Sequence, residues 1–381
     1  MQLIYFAPVC WASYWQRPHY MIRHLIRQGI EKVTWVDPYP TRLPTINDLA
    51  RLRQKAAQSV PASETGSWRS LVRVVVPSAL PIEPLPLGPA FNRVLFWPPA
   101  LAELRAAATS GPCLIGIGRP SRLACWALSQ LPHFESFYDA MDDFPSFYKG
   151  LSARSMARVE QEVACRVTHL LCSAQTLASK FSAMGLQATV IPNGYTMSSL
   201  PAPSSLAARE VIGYVGTIGR WFDWPLVLEM ACALPSLRIQ LIGPEFVPRP
   251  VLPSNVEMIP ECSQAEAVDH IRKFRVGLIP FLRMPLTESV DPIKYYEYRA
   301  LGVPVWTTAF GTMSARVGEP GVVAMGADSD WRALATAADA FEDSAEYVET
   351  FRRNNDWSSR FETLPFLERS PLAMPLSNQS Y

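Results

Sequence analysis

The chain has 381 residues, 49% hydrophobic and 18% charged, which excludes a disordered chain and suits two domains better than one core. A net charge of +1 argues against a nucleic-acid surface spread over the whole molecule. The balance hides an asymmetry: residues 1–200 hold 19 Lys and Arg against 12 Asp and Glu, whereas 201–381 hold 16 against 22, so the first half suits an anionic ligand or an anionic membrane face, unless the bias is chance variation over solvated surface.

Short β-branched or aliphatic runs alternate with longer helical stretches, the pattern of a parallel α/β protein. In the first half, strands are predicted at 3–7, 32–36, 72–76, 113–117, 135–139, 169–172 and 189–191. Helices are predicted at 17–28, 99–109, 121–129, 152–166 and 174–184. Residues 39–44 have loop composition, and 59–67 are small and polar. Pro201-Ala202-Pro203-Ser204-Ser205 has linker chemistry. The pattern then restarts, with strands at 211–215, 238–242, 256–259, 276–279, 303–307 and 321–325. Helices follow at 224–233, 263–273, 293–301, 330–340 and 345–355. Beyond Leu367 the chain is expected to be a mobile tail. The fold class is therefore α/β, with two Rossmann-like doubly wound domains. Their carboxyl strand ends face a common cleft, the usual ligand edge of such sheets.

The seven cysteines show no CxxC or Cys/His metal spacing and are expected to be reduced, buried thiols of a cytoplasmic protein. Leu3-Ile4-Tyr5-Phe6 follows no basic n-region and reads as a first strand, not a signal peptide. Between Arg73 and Arg93 lies one charge, but Pro77, Pro81, Pro84, Pro86 and Pro89 break any helix there.

Residues 276–307 are the most informative. A strand ends at Pro280-Phe281, a loop crosses to a helix opened by Asp291-Pro292, and Gly302 stops that helix before the next strand. Asp291 is expected at N-cap and Pro292 at N1. Lys294 stands in the first turn, where a cation is normally unfavourable and an anion partner would explain it. Glu297 lies one turn later on the same face and could accept from ribose hydroxyls; an exposed Lys/Glu pair is the alternative. Earlier, Gly213-Tyr214-Val215-Gly216-Thr217-Ile218-Gly219-Arg220 is a strand feeding a glycine turn. There Gly216 and Gly219 would let backbone approach a diphosphate that Arg220 neutralises. In the first half, Asp139, Asp142 and Asp143 follow a strand, an arrangement suited to a general base. Capping by Asp142 or Asp143 is the alternative. Trp15-Gln16-Arg17-Pro18-His19 opens the first helix.

These segments resemble GT-B glycosyltransferases, most closely bacterial exopolysaccharide and teichuronic-acid-type enzymes. The specific match is Pro292-Ile293-Lys294-Tyr295-Tyr296-Glu297-Tyr298 followed by Ala300-Leu301-Gly302-Val303-Pro304-Val305. The 211–224 strand and turn, Pro192-Asn193-Gly194 before the linker, and the helix around 354–361 extend the resemblance over nearly the whole chain. It implies diphosphate contacts from Lys294, nucleoside contacts from Glu297, and a donor site that also includes Gly216, Thr217, Arg220, Ile293 and the nucleobase edge Glu261-Cys262. It implies Asp142 as catalytic base, from a Tyr-x-Ala-x-Asp run, and Trp15, Arg17 and His19 as acceptor contacts. Many retaining members carry two glutamates separated by seven residues. Here the first would fall at Ser289, with Glu288 one step early, and this break favours inversion.

The expected activity is sugar transfer from a nucleoside-diphosphate sugar, with UDP favoured, to a glycan or lipid-linked glycan in surface polysaccharide synthesis. It is expected to need no metal and no cofactor, since the nucleotide sugar is a substrate. The expected location is the cytoplasm, with peripheral contact at the anionic inner membrane face. A non-catalytic sugar-nucleotide scaffold and a GT-B-fold epimerase are the alternatives.

Overall fold

The computed structural model describes residues 1–44, 67–196, 200–203 and 209–367. Ser204, Ser205, residues 59–66 and the expected tail from 368 lie outside the described residues. The chain divides into two compact units: Met1–Ile191 with the chain from Phe361 onward, and Pro192–Arg360. The division falls just before Pro192-Asn193-Gly194, ahead of the linker expected at 201–205. Residues 351–360 stay with the second unit, and the chain rejoins the first at Phe361.

The first unit is a seven-stranded parallel sheet: β1 (Gln2–Phe6), β2 (Lys32–Val36), β3 (Val72–Val75), β4 (Cys113–Ile117), β5 (Glu135–Ala140), β6 (His169–Cys172) and β7 (Thr189–Val190), in the order β3-β2-β1-β4-β5-β6-β7. Strands β1 and β4 are buried along their whole length, as a sheet covered by helices on both faces requires. The second unit repeats the plan with β8 (Val211–Val215), β9 (Arg238–Ile242), β10 (Val256–Ile259), β11 (Phe274–Ile279), β12 (Val305–Thr307) and β13 (Val322–Ala324), in the order β10-β9-β8-β11-β12-β13. Each sheet reverses its winding once, at β1/β4 and at β8/β11. Such reversals leave a crevice at the carboxyl strand ends.

Three expectations are corrected. The prolines after Arg73 do not abolish helix: Gly88–Leu95 is helical with proline in its first turn, where a missing N–H costs nothing. Asp291 does not cap the Ile293–Ala300 helix. Pro292 is the N-cap residue, and the Asp291 carboxylate turns inward to Arg316. The thiols are not uniformly buried: Cys113, Cys125 and Cys172 are, but Cys10, Cys165 and Cys232 are exposed.

A buried ion pair joins the first helix to the sheet. Arg17, with no exposed surface, donates from Nε and Nη2 to the Asp139 carboxylate at 2.8–3.1 Å, and from Nη1 to the Ile191 carbonyl at 2.8 Å. Asp139 is equally buried near the end of β5. Removing one member leaves the other charge buried and uncompensated. Arg17→Met is therefore expected to destabilise the chain by about 3–5 kcal/mol. Urea unfolding measures this, and a loss under about 1 kcal/mol would contradict it.

Candidate functional site

In the second unit the motif residues converge at the β8/β11 reversal. Gly216 follows β8 with φ +143°, a conformation that L side chains rarely adopt. A Cβ there would run into Cε and Nζ of Lys294. The lysine side chain thus lies over the strand exit, its Nζ 5.4 Å from the centre of the Tyr214 ring. Gly243, just past β9, has φ +135°, and a Cβ there would strike the Gly216 carbonyl. Two adjacent strand exits are bare of side chains, and the Lys294 ammonium group stands over the first of them.

The Ile293–Ala300 helix is fixed to this floor by buried tyrosines. Tyr298 has no exposed surface, and its hydroxyl accepts from the Val215 N–H at 3.1 Å. Gly277 on β11 leaves the room its ring needs. Tyr296 donates to Asp291 at 2.9 Å. Asp291 also accepts from the Asn193 N–H at 2.7 Å and pairs with Arg316 at 2.8 Å. The loop into the helix is therefore anchored before the first turn. There the N–H groups of Ile293 and Lys294 have no intrahelical acceptor, a geometry that suits phosphate.

Burial depresses the Lys294 pKa, and Glu297 pulls it back up. Burial raises the Glu297 pKa, with Lys294 opposing. Both side chains are half-buried, and among the described residues no ion pair closes between them. The exposed i,i+3 pair is thus not what the structure contains. An incoming diphosphate would restore the proton affinity that burial takes from Lys294.

The remaining donor-side residues are spread out. The Gly216 N–H already donates to the Ile242 carbonyl at 2.8 Å, so this glycine offers space and not a donor group. The Thr217 carbonyl accepts from Tyr214 at 2.8 Å. Gly219 packs on the Trp221 ring, and Arg220 is exposed in the same turn. Glu261 is exposed and Cys262 half-buried in the exit loop of β10. That strand lies two places from β8, roughly 10 Å away by strand spacing. Ser289 ends the short Pro285–Glu288 helix. The Glu288 carboxylate accepts from Arg283 at 2.7 Å and from the Gly311 N–H at 3.2 Å, which holds the loop together.

In the first unit the three carboxylates have different fates. Asp139 is held by Arg17. Asp143 accepts from Lys180 at 2.6 Å and from the Ser146 hydroxyl. Asp142 is half-buried, and its carboxylate accepts no hydrogen bond among the described residues; only its backbone carbonyl accepts, from the Phe144 N–H at 3.1 Å. Its pKa is pushed up to about 7, by burial first; Arg17 opposes, while Asp143 and Asp139 add to the rise. It is thus the one of the three poised to exchange a proton near neutrality.

The expected acceptor contacts are placed less favourably. The Arg17 guanidinium is committed to Asp139. His19 is fully buried, stacked on Trp35 at 4.9 Å and on Trp15 at 5.7 Å, and burial lowers its pKa to about 4. It is a neutral structural imidazole. Trp15 is half-buried, edge-on to Trp68 at 5.5 Å and beneath Arg23. The sequence gives no signal for Arg316, and Asn193 and Tyr298, although part of the motifs, carried no assigned role; Gly243 was missed. Gly243 had a usable signal, since it follows its strand as Gly216 follows β8.

Among the described residues no three or more His, Cys, Asp or Glu are grouped to hold a metal ion. No helix among them is long and apolar enough to cross a membrane.

No protein-family model matches the chain. Over 113 residues it is 26% identical to TuaH of Bacillus subtilis (strain 168), a candidate glycosyltransferase of teichuronic acid biosynthesis. The match covers 28% of this chain and 28% of that protein's length. The sucrose-phosphate synthase of Thermosynechococcus elongatus superposes over 97% of this chain and 98% of its own, with TM-score 0.65 and 16% identity. HepE of Anabaena, solved with UDP and glucose, covers 97% and 99%, with TM-score 0.59 and 12% identity. These two likenesses, over nearly the full length of each chain, establish the fold: two parallel sheets in the GT-B arrangement of elements.

Proposed function

We propose that the chain is a glycosyltransferase. It takes a sugar from a nucleoside-diphosphate sugar, with UDP as nucleotide, and passes it to a glycan or lipid-linked glycan in surface polysaccharide synthesis. The observation that carries this is the position of Lys294, whose ammonium group lies over the side-chain-free exit of β8, beside the equally bare exit of β9. The first turn of the Ile293–Ala300 helix adds its own N–H groups. That combination suits a leaving diphosphate, stabilised without a metal by fixed positive charge and dipole. HepE, of the same fold, was solved with UDP. Gly216, Thr217, Ile293, Lys294 and Glu297 form the proposed donor site, with Arg220, Glu261 and Cys262 at its margin. No cofactor is needed, because the nucleotide sugar is a substrate.

For the acceptor side we assign Asp142 as general base and the half-buried Trp15 as a contact. The base takes the acceptor hydroxyl proton as that oxygen attacks the anomeric carbon and the diphosphate leaves. Ser289, where retaining relatives carry a glutamate, fits direct displacement with inversion. Ser289 equally fits a non-catalytic nucleotide-sugar binder. Slow donor hydrolysis without acceptor separates the two, since a binder shows none.

Lys294→Ala removes a charge-assisted contact. UDP affinity is expected to fall about 10- to 100-fold with the fold intact. Calorimetry showing unchanged UDP binding would refute the donor site.

Asp142→Asn keeps the size and removes the base. Turnover should drop by about 10²–10⁴-fold with donor binding preserved, and the wild-type rate should rise with pH through about 7 as the carboxyl ionises. Linkage gives a second readout. The folded pKa lies above the unfolded value of 3.8, so the ionised form burdens the folded state increasingly as pH climbs to about 7. The Asn variant should therefore gain more melting temperature at pH 8 than at pH 5. Near-normal turnover, or a retained anomeric configuration by NMR, would rule out this mechanism.

A further inference from the structure

The helix Gly88–Leu95 turns its apolar residues outward. An ordinary surface helix buries an apolar stripe and exposes polar groups. Here the inward positions are Gly88 and Asn92, one helical turn apart, and Asn92 has no exposed surface. Leu87, Phe91, Val94 and Leu95 are exposed by 79%, 46%, 66% and 59%. Their i, i+4 and i+7/i+8 spacing places them on one side. Val76, Leu80 and Leu85 on the preceding segment are exposed too.

This outward face is held in place from beneath by polar and close backbone contacts. The Asn92 side chain exchanges two hydrogen bonds with the Leu80 backbone, both 2.9 Å. Gly88 sits so close that a Cβ would strike the Ile82 carbonyl. Glu83, nearly fully buried, accepts from the Tyr39 hydroxyl. A segment secured by such contacts does not need its leucines for folding, yet it displays them. Single exposed apolar residues are ordinary, but a contiguous set on one face marks a contact surface.

The charge pattern selects the partner. Between Arg73 and Glu103 the only charged residues are Glu83 and Arg93. Glu83 is buried, so the one exposed charge on this stretch is the Arg93 cation. The wider first half carries the basic excess already counted, 19 against 12. An apolar face with an exposed cation and no exposed acid is the chemistry of shallow insertion into an anionic bilayer.

We propose that residues 76–96, led by Leu87, Phe91, Val94 and Leu95, are a membrane-docking surface that inserts into an anionic lipid leaflet. The inference does not depend on sugar transfer, because lipid binding is read without substrate. The test is sedimentation of the full chain with phosphatidylcholine vesicles and with vesicles that also contain phosphatidylglycerol. Wild-type protein should bind the anionic vesicles more tightly and keep part of that binding at high salt, since apolar insertion is not screened. The triple variant Leu87→Ser, Phe91→Ser, Val94→Ser should lose at least about 30-fold in vesicle affinity. Its melting temperature and UDP affinity should stay unchanged, because these side chains are exposed and lie in the other unit from Lys294. Arg93→Glu should weaken binding to anionic vesicles alone. Three results would overturn the proposal: a triple variant that binds as wild type, equal wild-type binding to both vesicle types, or a wild-type dimer in analytical ultracentrifugation that the triple variant converts to monomer. The last would make the partner a second copy of this chain.

Discussion

A lysine ammonium group lies where a glycine has no side chain. Lys294 can fold over the exit of β8 only because Gly216 leaves that volume empty, and any Cβ there would collide with the lysine. Around this contact the second unit is strictly constrained. Gly243 must also be bare to pass the Gly216 carbonyl. Tyr298 must reach the Val215 N–H, and Gly277 must yield to its ring. Each requirement fixes the Ile293–Ala300 helix relative to the sheet. The outcome is a positive charge held at a partly desolvated strand edge, where its interaction with an anion is stronger than in bulk water.

The first unit solves a different problem with similar means. Three aspartates crowd one strand end, and like charges so close cannot all stay ionised at no cost. Arg17 takes Asp139 and Lys180 takes Asp143. Asp142 is left with its pKa near 7. The proton-exchanging group is thus defined by what its neighbours' partners do not reach. The buried Arg17 belongs to that support and is not available to a ligand, while His19 is enclosed separately between Trp15 and Trp35.

Much of this was legible in the sequence. Strand periodicity gave both sheets, because strands buried on two faces read as continuous apolar runs such as Ile4 to Phe6 and Leu114 to Ile117. The glycine exit at Gly216 and the cation at Lys294 were visible because each broke a local rule, a bare strand end and a positive charge in a first helical turn. What failed depended on tertiary partners. Asp291 before proline looks like a cap, but Arg316 and Asn193, distant in the chain, and Tyr296, one turn into the helix, draw its carboxylate inward. Arg17 looks like a ligand contact until Asp139 is seen beside it. The prolines from Pro77 to Pro89 look like breakers, yet Pro89 falls in the first turn of the Gly88–Leu95 helix and is tolerated. The outward-facing leucines of that helix could not be read at all, since exposure is a property of packing and not of composition.

The central claim is that the Lys294–Gly216 contact marks the donor diphosphate site. A crystal structure of the chain with UDP tests it most directly. The diphosphate is predicted at the first turn of the Ile293–Ala300 helix, with an oxygen about 3 Å from Lys294 Nζ and the ribose toward Glu297. A diphosphate bound away from Lys294, at another strand exit or in the first unit, would contradict it.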